Sequence, residues 1–238
     1  MKSKDGALLV SVVMPALNEA RYIEESIAAA RRAYAQDKVE IIVVDGGSDD
    51  GTTDLVPPTE RWMTSPPGRA IQMNRGASAA QGEVLVFCHA DSRLPAGWRQ
   101  PVVEALGDPG VSGGAFAIRL EPARGVLHLL NTLPVPADWR LMYGDQAQFT
   151  TRATFRFVGG FPEIPIMEDL EMMRRLHRIG RLIRLPLRVR SSSRRFLQRD
   201  PLRQFCLDVW LVIRYLYLGT TAEEIAQVYH ADDRGRFP

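Results

Sequence analysis

Apolar positions along this chain fall into two kinds of run. Leu8 to Met14, Val39 to Val44 and Val84 to Cys88 are short continuous apolar blocks, and each breaks off into polar residues. Apolar runs of that length bounded by turn formers are the pattern of strands buried on both faces. Between them, Glu19 to Arg32 places Ile23, Ile27 and Ala30 at helical spacing, with Asn18 as the expected cap, and a second helix is expected from about Arg69 to Ala80. This strand-and-helix rhythm predicts an α/β fold whose mostly parallel central sheet is flanked by helices. After Gly51 the crossover is short, because Thr52 to Val56 runs into Pro57-Pro58, and proline stops a helix within about two turns.

The second half is less regular. Ser112 to Leu120 alternates as a strand, with Gly113-Gly114 permitting close approach of a ligand or another backbone. Pro122 to Trp139 reads as an excursion with a short apolar helix. After Pro165, Leu170, Met173 and Leu176 give helical spacing, and Arg188 and Arg190 alternate along an expected strand as a solvated face. Arg203 to Leu218 is rich in apolar and aromatic residues, but Asp208 and Arg214 interrupt it, and it falls short of the roughly 18 apolar residues of a spanning helix. We expect it to pack against the domain or a second subunit, with contact at a membrane surface as the alternative. Thr221 and Glu224 form an expected capping box that starts a last amphipathic helix, Ala222 to His230.

With 238 residues, 45% of them hydrophobic, the chain can bury a large core. The division expected is one domain over residues 1–200 and a helical C-terminal extension over 201–238. Thirty Lys plus Arg against 28 Asp plus Glu leaves a formal charge of +2, so bulk charge makes no case for a nucleic-acid partner. Cys88 and Cys206 are far apart and follow no metal-ligand spacing, so neither a zinc site nor a disulfide framework is indicated. Cys88 reads as a small buried hydrophobe. Met1 to Ala7 leads straight into the first strand and leaves no room for a signal peptide, so a cytoplasmic active site is expected.

The chemistry gathers where the strands end. Asp45 closes the second strand and Gly46-Gly47 follows it, so a carboxylate able to accept from a nucleobase stands beside backbone that a ligand can approach closely. The same residues also suit a plain turn. His89 and Asp91, two apart at the end of the third run, point to one face and could hold a divalent ion against a diphosphate. Arg69 opens a helix after Gly68, a place that attracts anions. Glu168 and Asp169 either cap a helix or supply a positioned base. His128, His177 and His230 lie in helical stretches and read as surface or packing residues; only His89 is placed to matter.

Together these segments resemble the family 2 glycosyltransferases of GT-A fold. The resemblance rests on Val12 through Glu19, Val43 through Gly51, Ser65 through Asn74, His89-Ala90-Asp91, Gly144-Asp145-Gln146, Met167 through Glu171 and Arg194-Arg195-Phe196. It covers about residues 10 to 196, in the family's order, and its spelling looks most like a compact bacterial subfamily. It implies sugar transfer from a nucleotide-diphosphate donor, UDP being the expected nucleotide, to an acceptor hydroxyl with inversion. Pro15, Ala16, Glu19, Asp45, Ser48 and Arg69 would line the nucleotide site. Asp91, with His89 at the first position of the D-x-D motif, would hold Mg²⁺ or Mn²⁺. Asp169 would be the base with Glu168 supporting acceptor binding, Gly144, Asp145 and Gln146 would face donor or acceptor sugar, and Arg194, Arg195 and Phe196 would bind diphosphate or close the site. The acceptor could be lipid-linked, with the protein at the inner face of the cytoplasmic membrane or dimerised through its C-terminal helices. Two rival classes remain, a nucleotidyltransferase on a similar sheet and a non-catalytic nucleotide-sugar binder. The place after the first strand, Pro15 to Glu19, lacks the Gly-rich basic loop the former would carry.

Overall fold

A computed structural model describes residues 8–33, 38–123, 125–133, 135–198 and 200–233. The three apolar runs form parallel neighbours: β1 (Val10–Ala16) lies between β2 (Val39–Asp45) and β4 (Val84–Phe87). A short edge strand, β3 (Arg61–Thr64), follows β2 and pairs with it in parallel. Beyond β4 come β7 (Gln148–Thr151), β6 (Val111–Glu121), β8 (Arg181–Ser192) and β5 (Ser92–Arg93). Among the described residues the eight strands make one sheet in the order β3-β2-β1-β4-β7-β6-β8-β5, with β7 and β5 antiparallel to their neighbours.

Both faces of β1, β2 and β4 are covered, which is why these strands read as unbroken apolar runs. Val10, Val12 and Met14 point to one side, against Ile23 and Ile27 of α1 (Ile23–Arg31) and Val102 of α3 (Arg99–Leu106). Val13, Ile42 and Val44 point to the other, against Ala70, Met73 and Ala77 of α2 (Arg69–Ala79), Phe155 of α5 (Arg152–Phe157) and Met172, Met173 and Leu176 of α6 (Glu168–His177). In register, Ala16 stands opposite Asp45, so β1 and β2 finish level and their loops open on one crevice.

Local reading of the sequence fails at two places, Asn18 and β3, and at Gly113-Gly114 one of its two alternatives is met. Asn18 does not cap α1: it takes a left-handed φ of 55°, which Asn tolerates, and its side-chain oxygen accepts from the Asp49 N–H at 3.0 Å. Glu19 to Tyr22 accordingly form a turn, closed by the Tyr22 N–H to the Glu19 carbonyl at 2.8 Å, and α1 starts at Ile23. β3 was not foreseen, because its mostly exposed residues carry no apolar run. The Gly113-Gly114 pair serves close backbone packing: a Cβ on Gly114 would stand 2.0 Å from the Ile183 carbonyl oxygen, and one on Gly113 would stand 2.6 Å from that of Phe149.

The excursion after β6 holds the short helix α4 (Val126–Leu130), and α7 (Arg194–Leu197) follows β8. α8 (Pro201–Tyr217) and α9 (Ala222–Asp233) then pack through Leu211, Ile225 and Ala226 onto Ile166, Met167 and Leu170. The capping box forms, with the Glu224 N–H donating to Thr221 Oγ1 at 3.2 Å and the Thr221 N–H donating to Glu224 Oε2 at 2.8 Å. The opposite side of α8 exposes Leu202, Phe205, Val209, Trp210, Ile213 and Tyr217. Among the described residues no helix is long and apolar enough to cross a membrane.

The Gly114 contact yields a stability prediction. Gly114→Ala forces β6 and β8 apart where their backbones touch, and should cost near the upper end of the roughly 1–3 kcal/mol of overpacking substitutions. Urea unfolding measures it; a loss below about 1 kcal/mol would mean that the two strands can separate freely there.

Candidate active site

The loops after β1 and β2 are stitched to each other. Asp45 is buried and its carboxylate accepts from the Gly47 N–H at 2.9 Å, the Ser48 N–H at 3.0 Å and the Ser48 hydroxyl at 2.6 Å. Ser48 Oγ in turn accepts from the Asn18 N–H at 2.8 Å, Thr52 Oγ1 from the Glu19 N–H at 2.9 Å, and Asp50 from the Ala20 N–H at 3.0 Å. The turn reading of Asp45 is thus real. It leaves room for the other, since a carboxylate has about four acceptor positions and three are taken. Pro15 and Ala16 form the adjoining end of β1, and the Ala16 carbonyl accepts from the Gly46 N–H at 2.9 Å.

Two residues of the Ser65 to Asn74 motif hold this crevice together from beneath. The buried Gln72 amide donates at 2.8 Å to both the Ala16 and the Val44 carbonyls, tying α2 to the ends of β1 and β2. Asn74 pairs with the backbone of Phe161, donating at 2.8 Å and accepting at 3.0 Å. Sequence alone assigned neither role, because the partners are distant in the chain.

Arg69 then enters a group of acids. Its Nε lies 2.8 Å from Oε1 of Glu168, which is only 2% exposed. Burial works against the Arg69 charge, but Glu168, Asp169, Asp145 and Asp91 outweigh it and hold its pKa above the ordinary value. Glu168 is therefore placed to anchor Arg69, and burial raises its own pKa despite that partner. Asp145 is pushed up to about 7, first by burial and then by Asp169 and Asp91, and its Oδ1 is buried without a hydrogen-bond partner. Tyr143 is pushed up to about 12 by burial and by Asp169 and Asp145.

Asp169 is half-buried and doubly held: Oδ2 accepts from the Gly144 N–H and Oδ1 from the Leu170 N–H, each at 2.7 Å. Gly144 must be glycine here, since a Cβ would stand 2.8 Å from His89 Nε2 and 3.3 Å from Asp169 Oδ2. Burial, then the Arg69 charge, lowers the pKa of His89 and keeps it neutral, with a lone pair to offer. Gln146 does not join the group: it is buried, with its amide engaged at 3.0 Å by the Leu141 carbonyl and at 2.5 Å by Arg184 Nη1.

Arg194 closes the other side. It grips Glu19 with both arms of its guanidinium, one at 2.9 Å, lies 3.5 Å from Asp91 Oδ2 and sits 5.2 Å from the centre of the Tyr22 ring. Tyr22 had no signal in the sequence. Arg195 turns toward α9, 3.6 Å over the Tyr229 ring, and Phe196 is half-buried. Of the histidines set aside, His177 stacks on Trp139 and His128 is exposed; the side chain of His230 lies outside the described residues. Cys88 is fully buried, and burial pushes its thiol pKa up.

Among the described residues no group of three or more His, Cys, Asp and Glu is arranged as a ready metal cage. A magnesium-type ion held against a diphosphate needs only one or two protein carboxylates. Asp91, neutral His89 and the surplus of carboxylates around the Arg69 guanidinium fit such an ion, and the unpartnered Asp145 oxygen marks where negative charge is uncompensated.

A family model described as glycosyl transferase family 2 matches residues 11–161, and the chain belongs to that family. The match stops before Glu168, Asp169 and Arg194, whose placement rests on the geometry above. The chain is 26% identical over 202 residues to the probable glycosyltransferase YdaM of Bacillus subtilis, covering 74% of this chain and 48% of that protein. It is 28% identical over 114 residues to glycosyltransferase AglE of Haloferax volcanii, covering 43% and 36%. It thus spans half or less of the length of these two curated relatives. The fold is that of GT-A glycosyltransferases. The mannosyltransferase PcManGT from Pyrobaculum calidifontis, solved with GDP-Man and Mn²⁺, superposes with a TM-score of 0.63 at 25% identity, over 77% of this chain and 56% of that one. S. aureus TarS 1-349, solved with UDP-GlcNAc, gives 0.65 at 16% identity, over 78% and 59%.

The raised Asp145 fixes a pH dependence. Its pKa is 3.8 unfolded and about 7 folded, so the folded state binds the extra proton between those values and stability falls as pH rises through them. In protein free of divalent ions, Asp145→Asn should reduce that decline, leaving the part owed to the likewise raised Glu168, as read by denaturant midpoints from pH 4 to 7. A parental slope in the variant would place the titrating group elsewhere.

Proposed function

We propose that this chain transfers a sugar from a nucleotide-diphosphate donor, UDP-linked, to an acceptor hydroxyl in a single inverting displacement. Membership of the family supports the reaction class, and the mannosyltransferase solved with GDP-Man and Mn²⁺ supports the donor class and a divalent ion. The observation that carries the reading is Asp169, a carboxylate fixed by two backbone N–H groups at the edge of the Arg69 group.

In this reading the nucleoside lies in the crevice between the Pro15 to Glu19 and Asp45 to Ser48 loops, and the free acceptor position of Asp45 takes a base N–H. Arg69 and Arg194 face the diphosphate, guanidinium being suited to phosphate oxygens. Asp91 and His89 would hold Mg²⁺ or Mn²⁺, which when bound offsets charge on the departing diphosphate. Asp169 takes the acceptor proton as the new bond to the anomeric carbon forms and the bond to the diphosphate oxygen breaks. Gly144, lacking a side chain, lets its backbone N–H approach Asp169 beside His89 and so orient the base.

Asp169→Asn keeps an oxygen for the Gly144 N–H but cannot accept the proton. Transfer should fall by roughly 10²–10⁴-fold while nucleotide-sugar affinity stays near parental. The assay is donor turnover and donor binding measured side by side over a panel of UDP and GDP sugars. A variant with parental turnover would leave Asp169 as a helix-capping acid.

Asp91→Asn removes charge from the proposed ion site. It should weaken the Mn²⁺-dependent part of nucleoside diphosphate binding, followed by thermal shift, and leave the metal-free part unchanged. Equal metal dependence in parent and variant would take Asp91 out of the site.

A further inference from the structure

Asp91 also lines a cleft of about 620 Å³ whose other walls the transfer reading does not use. Its floor is an arrangement of like charge. Arg119 of β6 stands directly opposite Arg190 of β8, and Arg190 stands directly opposite Arg93 of β5. Cross-strand partners point to one face and adjacent strands lie about 4.8 Å apart, so three guanidinium side chains rise in one row across three neighbouring strands. All three line the cleft, together with Arg21.

Like charges directly opposite on a sheet are destabilising. The acids present offset the row only in part. Arg93 pairs with Glu25, while Arg119 and Arg190 share the single carboxylate of Glu121, at 3.1 and 3.9 Å from its Oε1. Arg21 makes no ion pair among the described residues; its guanidinium lies 5.5 Å from the centre of the Tyr22 ring. Asp91, the remaining carboxylate of the wall, faces Arg194 at 3.5 Å. The cleft therefore carries positive charge in excess, held in place by a sheet and concave enough to enclose a small group.

We propose that this cleft binds a phosphate group, and that the acceptor is a phosphate-bearing molecule anchored here beside the donor. The acceptor half of the proposal rests on the transfer reading. The phosphate site stands on the arginine row alone. The phosphate could belong to a dissolved molecule or to a lipid headgroup, since both present the same oxygens to guanidinium.

The test titrates metal-free protein with inorganic phosphate by thermal shift, and separately sediments it with vesicles of phosphatidylglycerol or of phosphatidylcholine. We expect the parent to respond either to phosphate or selectively to phosphatidylglycerol. The Arg119→Gln/Arg190→Gln variant should lose about tenfold or more in apparent affinity. Without anion, that variant should be at least as stable as the parent, because repulsion across β6 and β8 is relieved. Arg119→Lys/Arg190→Lys keeps the charge and should retain part of the response. A response to dissolved phosphate assigns a free anion; a response to phosphatidylglycerol vesicles alone assigns a headgroup. The proposal is overturned if the parent responds to neither, or if the Gln variant responds as the parent does. Asp45→Ala should keep the response while nucleoside binding weakens, so failure of the donor assignment is read independently of failure of the phosphate site.

Discussion

A single guanidinium at the start of α2 holds the candidate active site in balance. Arg69 lies among Glu168, Asp169, Asp145 and Asp91, which come from three separate stretches of chain, and its contact with buried Glu168 joins the first turn of α2 to the first turn of α6. Without it, acids brought together by the ends of β4 and α6 would repel one another in a poorly solvated place. With it, negative charge is still in surplus, and burial together with that surplus raises the affinity of Asp145 for a proton. Structure and chemistry meet in that arithmetic of charge.

The rest of the crevice is arranged to keep this group fixed. Gln72 reaches the carbonyls at the ends of β1 and β2, Asn74 fastens the loop at Phe161, and the Gly144 N–H orients Asp169. Most of these bonds join side chains to backbone, so each loop is located by a partner that cannot change rotamer. Arg194 differs, since it bridges two carboxylate side chains, Glu19 and Asp91, that lie far from it and from each other in the chain. In the proposed reading an incoming diphosphate would compete with both carboxylates for that guanidinium.

Two faces remain outside that site. The arginine row over β6, β8 and β5 adjoins Asp91, whereas the exposed apolar side of α8 lies on the C-terminal helices that cover Ile166, Met167 and Leu170. The first has an unfavourable charge pattern that a ligand would relieve. The second is the outer side of a helix whose inner side is packed.

The sequence by itself determined the central strands, the helices between them and the residues at the strand ends. Continuous burial on both faces of β1, β2 and β4 writes an unbroken apolar run, and glycines and acids mark where that run stops. It also carried the capping box at Thr221 and Glu224, because capping is local. Tertiary structure alone decided what those residues touch. Asn18 looked like a cap but joins Asp49 across the crevice; Gln146 stood beside Asp145 in one motif, yet its amide is buried against Arg184 and Leu141. Arg190 is solvated surface as its alternation implied, but only β5 and β6 place Arg93 and Arg119 beside it. Each of these outcomes depends on a partner at least five positions away, in most cases several tens of residues, and periodicity, propensity and turn chemistry report only on near neighbours in the chain.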